Sequence, residues 1–423
     1  METEPQPSAE PVETPAASPA AAPEPVSVGT SIDLYAIANH HQGHLFFENG
    51  WVVFYKNSLN LLVAAYSPDG RAFKQIATVS HIPIARTSSV LNIEGKLYIV
   101  YTDQNDMAVF LRTGELLEGK LQLDEPIAVV QRSVSFSAGY PSVGVGDDGR
   151  PWVVFRDGTD SNVIPLWMTA ATDQSLSVWH EPVQISTPDQ LRYLGFRSSA
   201  LPVVVGNRLI VISSGDGHLF EAVSRNEFPP MFERSVLAGD FAGTHDYVPI
   251  SWGGKLHLAY VIDDGRGMLD ELAQDLFVLD PPNRRMVYRR WTPVGGWSEP
   301  IDIGPTIEHS TALSVDGLGR VWVFYKPDQQ HIWVRVSDQN GGAFGPARCL
   351  VQIPSDRTPP LSPSIAASYP TGEQVGLVWM EQSSRTMGPY QYVVRFVALS
   401  LHEGEPPTGC PVAPPPASES TTD

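Results

Sequence analysis

The chain is built from short stretches in which apolar and polar residues alternate, rich in Val, Ile, Tyr and Trp and separated by Gly, Asp, Asn and Pro. A period of two marks them as strands, because successive side chains of an extended backbone point to opposite faces. One arrangement recurs seven times, a glycine turn that runs into such a strand: Gly50-WVVFY, Gly95-KLYIVY, Gly149-RPWVVF, Gly206-NRLIVI, Gly254-KLHLAY, Gly319-RVWVFY and Gly372-EQVGLVW. The glycines are 45, 54, 57, 48, 65 and 53 residues apart, which is room for four short strands per unit in a radial array. The pattern predicts an all-β fold, a seven-bladed propeller of four-stranded blades, with very little helix.

Each unit reads as an inner strand, the glycine turn, a second strand, a loop, and a third and fourth strand. The sixth shows it most clearly, as STALSVDG, RVWVFYKP, HIWVRVSD and GPARCLVQI. Inner strands are expected near Leu45 to Glu48, Ser88 to Ile93, Pro141 to Val145, Ser199 to Val205, Val248 to Trp252 and Pro363 to Ser368. The seventh unit supplies only three strands before proline takes over at Pro406, and Gly29-TSIDLYAI is a strand without a partner. Pairing the two closes the ring with strands from both termini and removes the open edges. The insertion from Asp263 to Arg285 in the fifth unit is expected to overhang the central opening.

Residues 1–27 and 403–423 contain no Lys or Arg, nine acidic residues and thirteen of the 38 prolines, so they read as a disordered leader and tail around a propeller of residues 28–402. Without them the formal −19 becomes 38 acidic against 28 basic residues, a balance that disfavours nucleic acid and anionic membrane as partners. No apolar run is long enough for a transmembrane helix. The chain opens without a basic and then apolar signal segment. Its Pro/Ala/Glu leader is nevertheless of the type that spaces an export anchor from a folded domain, so an exported protein (periplasmic, cell-surface or secreted) is expected, its signal lying outside this chain. The two cysteines, Cys349 and Cys410, leave two readings open: a disulfide that clasps the tail, or two separate thiols.

Four turns between third and fourth strands carry a family resemblance. Ser337-DQNGGAF resembles the Asp box (Ser-x-Asp-x-Gly-x-Thr-Trp) of the sialidase superfamily, with Gln339 at the aspartate position. Ser67-PDGRAF is one residue short, Thr292-PVGGWSEP keeps the glycine turn and tryptophan, and Ser177-VWHEPVQI matches the region after such a box. The resemblance spans about residues 30–402 and implies a sialidase-like propeller whose boxes lock hairpins on the face opposite the active site. Sialidases also carry three carboxylate-gripping arginines and an early Phe/Tyr-Arg-Ile-Pro segment. The nearest match, His81-IPIAR, has His81 where the arginine stands. The resemblance therefore implies a fold rather than a catalytic set.

Candidate site residues are those that precede the inner strands, because such positions converge on the propeller axis. They are His44, Arg86, Tyr140, Arg197, His245 with Asp246, and Glu308 with His309. Arg86 and Arg197 offer forked donors to a carboxylate or to vicinal hydroxyls, Tyr140 a stacking face, and His245 and His309 further polar contacts. Carboxylates such as Asp246, Glu308 and Glu381 could form the acid and nucleophile pair of a glycosidase, with Asp246 and Glu308 the catalytic candidates. His44, His245 and His309 are the residues a metal would need, but no two have the spacing of a local ligand pair, so no metal is expected. No phosphate loop or Gly-x-Ser-x-Gly is present, and no cofactor is expected. The leading expectation is a binding module for a glycan or small polar ligand at the channel mouth. The alternatives are a glycoside hydrolase or lyase acting on an acidic sugar, and a scaffold for a protein partner.

Overall fold

The computed structural model describes residues 24–33, 36–37, 45–47, 49–103, 108–131, 140–157, 164–191, 199–215, 217–225, 227–240, 247–263, 284–307, 311–355, 365–367, 374–382, 391–400 and 410. Among them the chain forms seven antiparallel sheets and a single helical turn, Pro188–Leu191. In blade six the strands Ala312–Val315, Arg320–Tyr325, His331–Gln339 and Arg348–Gln352 lie side by side in chain order. The other inner strands are Leu45–Phe47, Ile84–Ile93, Ser142–Val145, Ala200–Val205, Tyr247–Trp252 and Ile365–Ala367. Blades two and five each add a short fifth strand, Lys120–Leu123 and Gly296–Trp297.

The second strands are covered on both faces, which explains their nearly unbroken apolar runs. In blade three, Trp152 and Val154 pack toward Leu209 and Val211 of blade four. Val153 and Phe155 pack the other way, against Tyr98 and Val100 of blade two. Each core thus lies between sheets, and burying one such side chain contributes about 1.5–3 kcal/mol. The same alternation joins blade six to blade seven through Phe324 and Trp379, and blade seven to blade one through Met380 and Val53, so the sequence of interfaces returns to its start.

Closure is made by both ends of the chain. Strand Val26–Ser31 pairs antiparallel with Tyr392–Ser400 and is the outermost strand of blade seven. The partnerless strand of the sequence is therefore real, but it begins at Val26, three residues earlier than Gly29. The residues after it turn inward, and Ala36 and Ile37 are buried with Val378, Met380 and Val394. A side chain at Gly29 would collide with the Tyr55 ring of blade one, so the closing strand lies directly against the first blade. Asp33, just beyond the strand, forms an ion pair with the buried Lys56 of blade one. Deleting residues 1–33 should strip the edge of blade seven and leave Lys56 without this partner. Loss of monomer into aggregates on size-exclusion chromatography is expected; a monomer with unchanged melting behaviour would contradict closure by this strand.

The turns between third and fourth strands lock neighbouring blades. In blade six the carboxylate that satisfies the turn is Asp338, one residue before Gln339. Its Oδ1 accepts the N–H groups of Gly342 at 2.6 Å and Ala343 at 3.1 Å. Ser337 Oγ accepts the N–H of Val321 at 2.8 Å, tying the turn to the second strand. Phe344 then packs edge-on to Tyr288 of blade five, and Phe73 of blade one packs likewise on Phe396 of blade seven, each pair 5.0 Å apart. Trp297 of blade five reaches back to blade four, where its indole N–H donates to Glu221 at 2.6 Å.

The two cysteines are joined: Cys349, in the outer strand of blade six, forms a disulfide with Cys410. Insertion residues 264–283 lie outside the described residues.

Candidate functional site: the channel mouth

All inner strands start, and all second strands end, at one face of the ring. The ladder of blade three pairs Ser142 with Val154, which places Tyr140 across from Arg156. The ladder of blade six pairs Ala312 with Phe324 and so carries the register to Lys326. These strand ends form the mouth.

Tyr140 is the sequence-derived site residue whose side chain is described. It is partly exposed, and its backbone is left-handed, with φ of 64°. A bulky residue held there, immediately before Pro141, costs about 1–3 kcal/mol of strain. Its ring lies 4.3 Å from the guanidinium of Arg156, which is 1% exposed. The cation under one face of the ring fixes its plane.

His44, Arg197, His245, Asp246, Glu308 and His309 lie outside the described residues, flanked by inner-strand starts such as Leu45, Ser199, Tyr247 and Thr311. Arg86 belongs by its backbone to strand Ile84–Ile93, and its side chain is outside the described set. The histidines of the metal hypothesis therefore lie there too. His81 has a packing role: its Nδ1 is 3.0 Å from the Tyr101 hydroxyl and its ring lies edge-on to Phe110.

The mouth also holds three cations that sequence reasoning missed. Lys56, Arg156 and Lys326 each follow the apolar run of a second strand, and all three are buried. The signal was visible in WVVFYK, PWVVFR and RVWVFYK, where a lone cation ends a hydrophobic stretch in three of seven copies. Blade seven has an acid instead. Glu381, 1% exposed, accepts the Trp379 indole N–H at 3.0 Å and the Arg395 Nε–H at 3.2 Å. Burial pushes the Lys326 amine down to about 7, with Asp328 pulling weakly the other way.

At the opposite end of the channel lies an open depression of about 1040 Å³, lined among others by Phe47, Asn92, Glu94, Lys96 and Gln174. Its polar groups are partly used by their own turns. Asn92 accepts the Gly95 N–H at 3.1 Å, and the Gln174 amide donates to the Asp148 carbonyl at 2.6 Å. Tyr140 is not among its described lining residues.

Fold and mouth together define a seven-bladed propeller of antiparallel blades. No protein-family model matches the chain, and no curated protein matches it in sequence. Solved structures do match. A lectin from Burkholderia pseudomallei superposes with a TM-score of 0.59 at 12% identity, over 90% of this chain and 96% of the lectin. An ulvan lyase representing a new polysaccharide lyase family gives 0.51 at 12% identity, over 89% of this chain and 98% of the lyase. At such identities the likeness is one of fold. No helix among the described residues is long and apolar enough to cross a membrane.

Proposed function

We propose that the protein is an exported binding module that takes a glycan or similar polar ligand at the channel mouth. The observation that carries this reading is Tyr140: a partly exposed aromatic ring, held at backbone cost and braced from below by a buried guanidinium. Strain of this kind is retained where the surrounding structure has a use for the geometry. A flat, rigid ring with a hydroxyl at its edge offers the apolar face of a sugar a stacking surface and its hydroxyls a partner. Arg86, Arg197, His245 and His309 stand in the sequence at or just before the inner strands, and we assign them to ligand contact. The lectin and lyase folds support a saccharide as the ligand class. The Cys349–Cys410 disulfide supports an oxidising compartment and hence export.

Tyr140→Ala is expected to weaken saccharide binding about tenfold to a hundredfold, roughly 1.4–2.8 kcal/mol. Calorimetry against a glycan selected on an array checks this, and unchanged affinity would rule out the mouth as the binding site.

The fold shared with a polysaccharide lyase keeps a second reading, cleavage of an acidic polysaccharide with Asp246 and Glu308 in proton transfer. Chain shortening of a bound polysaccharide, measured by size-exclusion chromatography, would favour it. Binding without shortening favours the module.

A further inference from the structure

The buried charges around the mouth are answered by partners, with one exception. Lys56 pairs with Asp33. Arg395 pairs with Glu381, which also takes the Trp379 indole. Arg156 lies against the Tyr140 ring. Lys326, 0% exposed, has an Nζ with no hydrogen-bond partner among the described residues.

The position of Lys326 is fixed by its backbone. Its carbonyl accepts the N–H of Ile307 at 2.9 Å and the hydroxyl of Thr306 at 3.1 Å. It therefore sits beside Thr306 and Ile307, at the mouth end of the second strand of blade six. By the period of two, its side chain lies on the side of the strand that Trp322 and Phe324 occupy, facing blade seven. A methionine would fill that space without an unsatisfied polar end. An amine kept there lacks a hydrogen-bond partner among the described residues, since the Asp328 carboxylate that attracts it is bonded to His331 instead, and the partner it calls for is an anion.

We propose that Lys326 is the anion seat of the mouth, receiving a carboxylate or sulfate of the bound ligand. This rests on the saccharide reading above and narrows it to acidic saccharides. A lysine suits this role because its four-carbon stem lets the amine stay retracted when the site is empty and swing toward the opening when an anion arrives, presenting three donors. Blades three and six lie across the ring from each other, so a ligand that stacks on Tyr140 and reaches Lys326 is an oligosaccharide rather than a single sugar.

The experiment compares the full chain with its Lys326→Met variant, which replaces the amine with an apolar side chain of similar length. Binding is measured for glucuronate-containing tetrasaccharides and their carboxyl-reduced counterparts, and for a sulfated tetrasaccharide and its desulfated form. The wild type is expected to prefer the acidic member of a pair at least tenfold, and the variant to lose the preference while still binding the neutral one. An acidic preference that survives in Lys326→Met overturns the proposal, as does a wild type that binds acidic and neutral members equally. If the wild type binds no saccharide, the saccharide reading falls and inorganic sulfate decides the seat: a rise in melting temperature in the wild type but not in Lys326→Met supports it, and equal shifts overturn it.

Discussion

Lys326→Met is expected to make the free protein more stable, by on the order of 3 kcal/mol near neutral pH. The unfolded amine titrates near its ordinary value of 10.5, whereas burial brings the folded amine to about 7. Between those limits the unfolded chain binds the additional proton. Wild-type stability should therefore rise with pH across that window, by up to about 1.4 kcal/mol per unit from this group, until the unfolded amine also loses its proton. Below about 7 both states are protonated and the slope from this residue vanishes, leaving the full cost of a buried charge. Urea unfolding of wild type and variant at a series of pH values separates the terms. The variant should have the higher midpoint and lack this part of the slope. A lower midpoint across the range would mean that Lys326 has a favourable structural partner, contrary to its unpartnered Nζ among the described residues.

Removing the disulfide should have an effect of similar size and opposite sign. Cys349 and Cys410 are 61 residues apart, and the loop they close includes the three strands that blade seven draws from the C-terminal part of the chain. In the chain-entropy account, a cross-link of that span destabilises the unfolded state by about 4 kcal/mol. The Cys349→Ala/Cys410→Ala protein is thus expected to lose up to that amount. A thiol reductant should lower wild-type stability toward the double variant and leave the variant unaffected. Equal stability of oxidised and reduced wild type would show that the clasp contributes nothing. Because the remaining strand of blade seven comes from Val26–Ser31, the covalent tie and the closing strand secure the same blade by independent means.

How far the molecule could be read from its residues differs from one feature to the next. The second strands were plain, because a strand buried on both faces must be apolar along its length, and Trp51-VVFY or Val321-WVFY is hard to read otherwise. The closing strand was seen but misplaced by three residues, since Val26-SVGTS follows a proline-rich leader that hides its start. Gln339 marked the wrong position in the blade-six turn. Asp338, its neighbour, reaches the amides of Gly342 and Ala343 because the backbone turns at Gly341, with φ of 69°.

For the site, Tyr140 is legible as a residue preceding an inner strand, but nothing in AGYPSV discloses its left-handed backbone or the guanidinium beneath its ring. Lys56, Arg156 and Lys326 were passed over because a cation at the end of a strand is normally solvated. Their burial depends on the blade packed beside them.

Local alternation and a recurring glycine turn determined the strand type, the number of blades and the face on which inner strands begin, since these depend on patterns within a few tens of residues. The tertiary structure alone decided the closing register, the Cys349–Cys410 link, the brace under Tyr140 and the burial of a Lys326 amine with no hydrogen-bond partner among the described residues. Each of these depends on groups far apart in the chain, and hydrogen bonding, burial and charge pairing act across space on whatever the fold brings together.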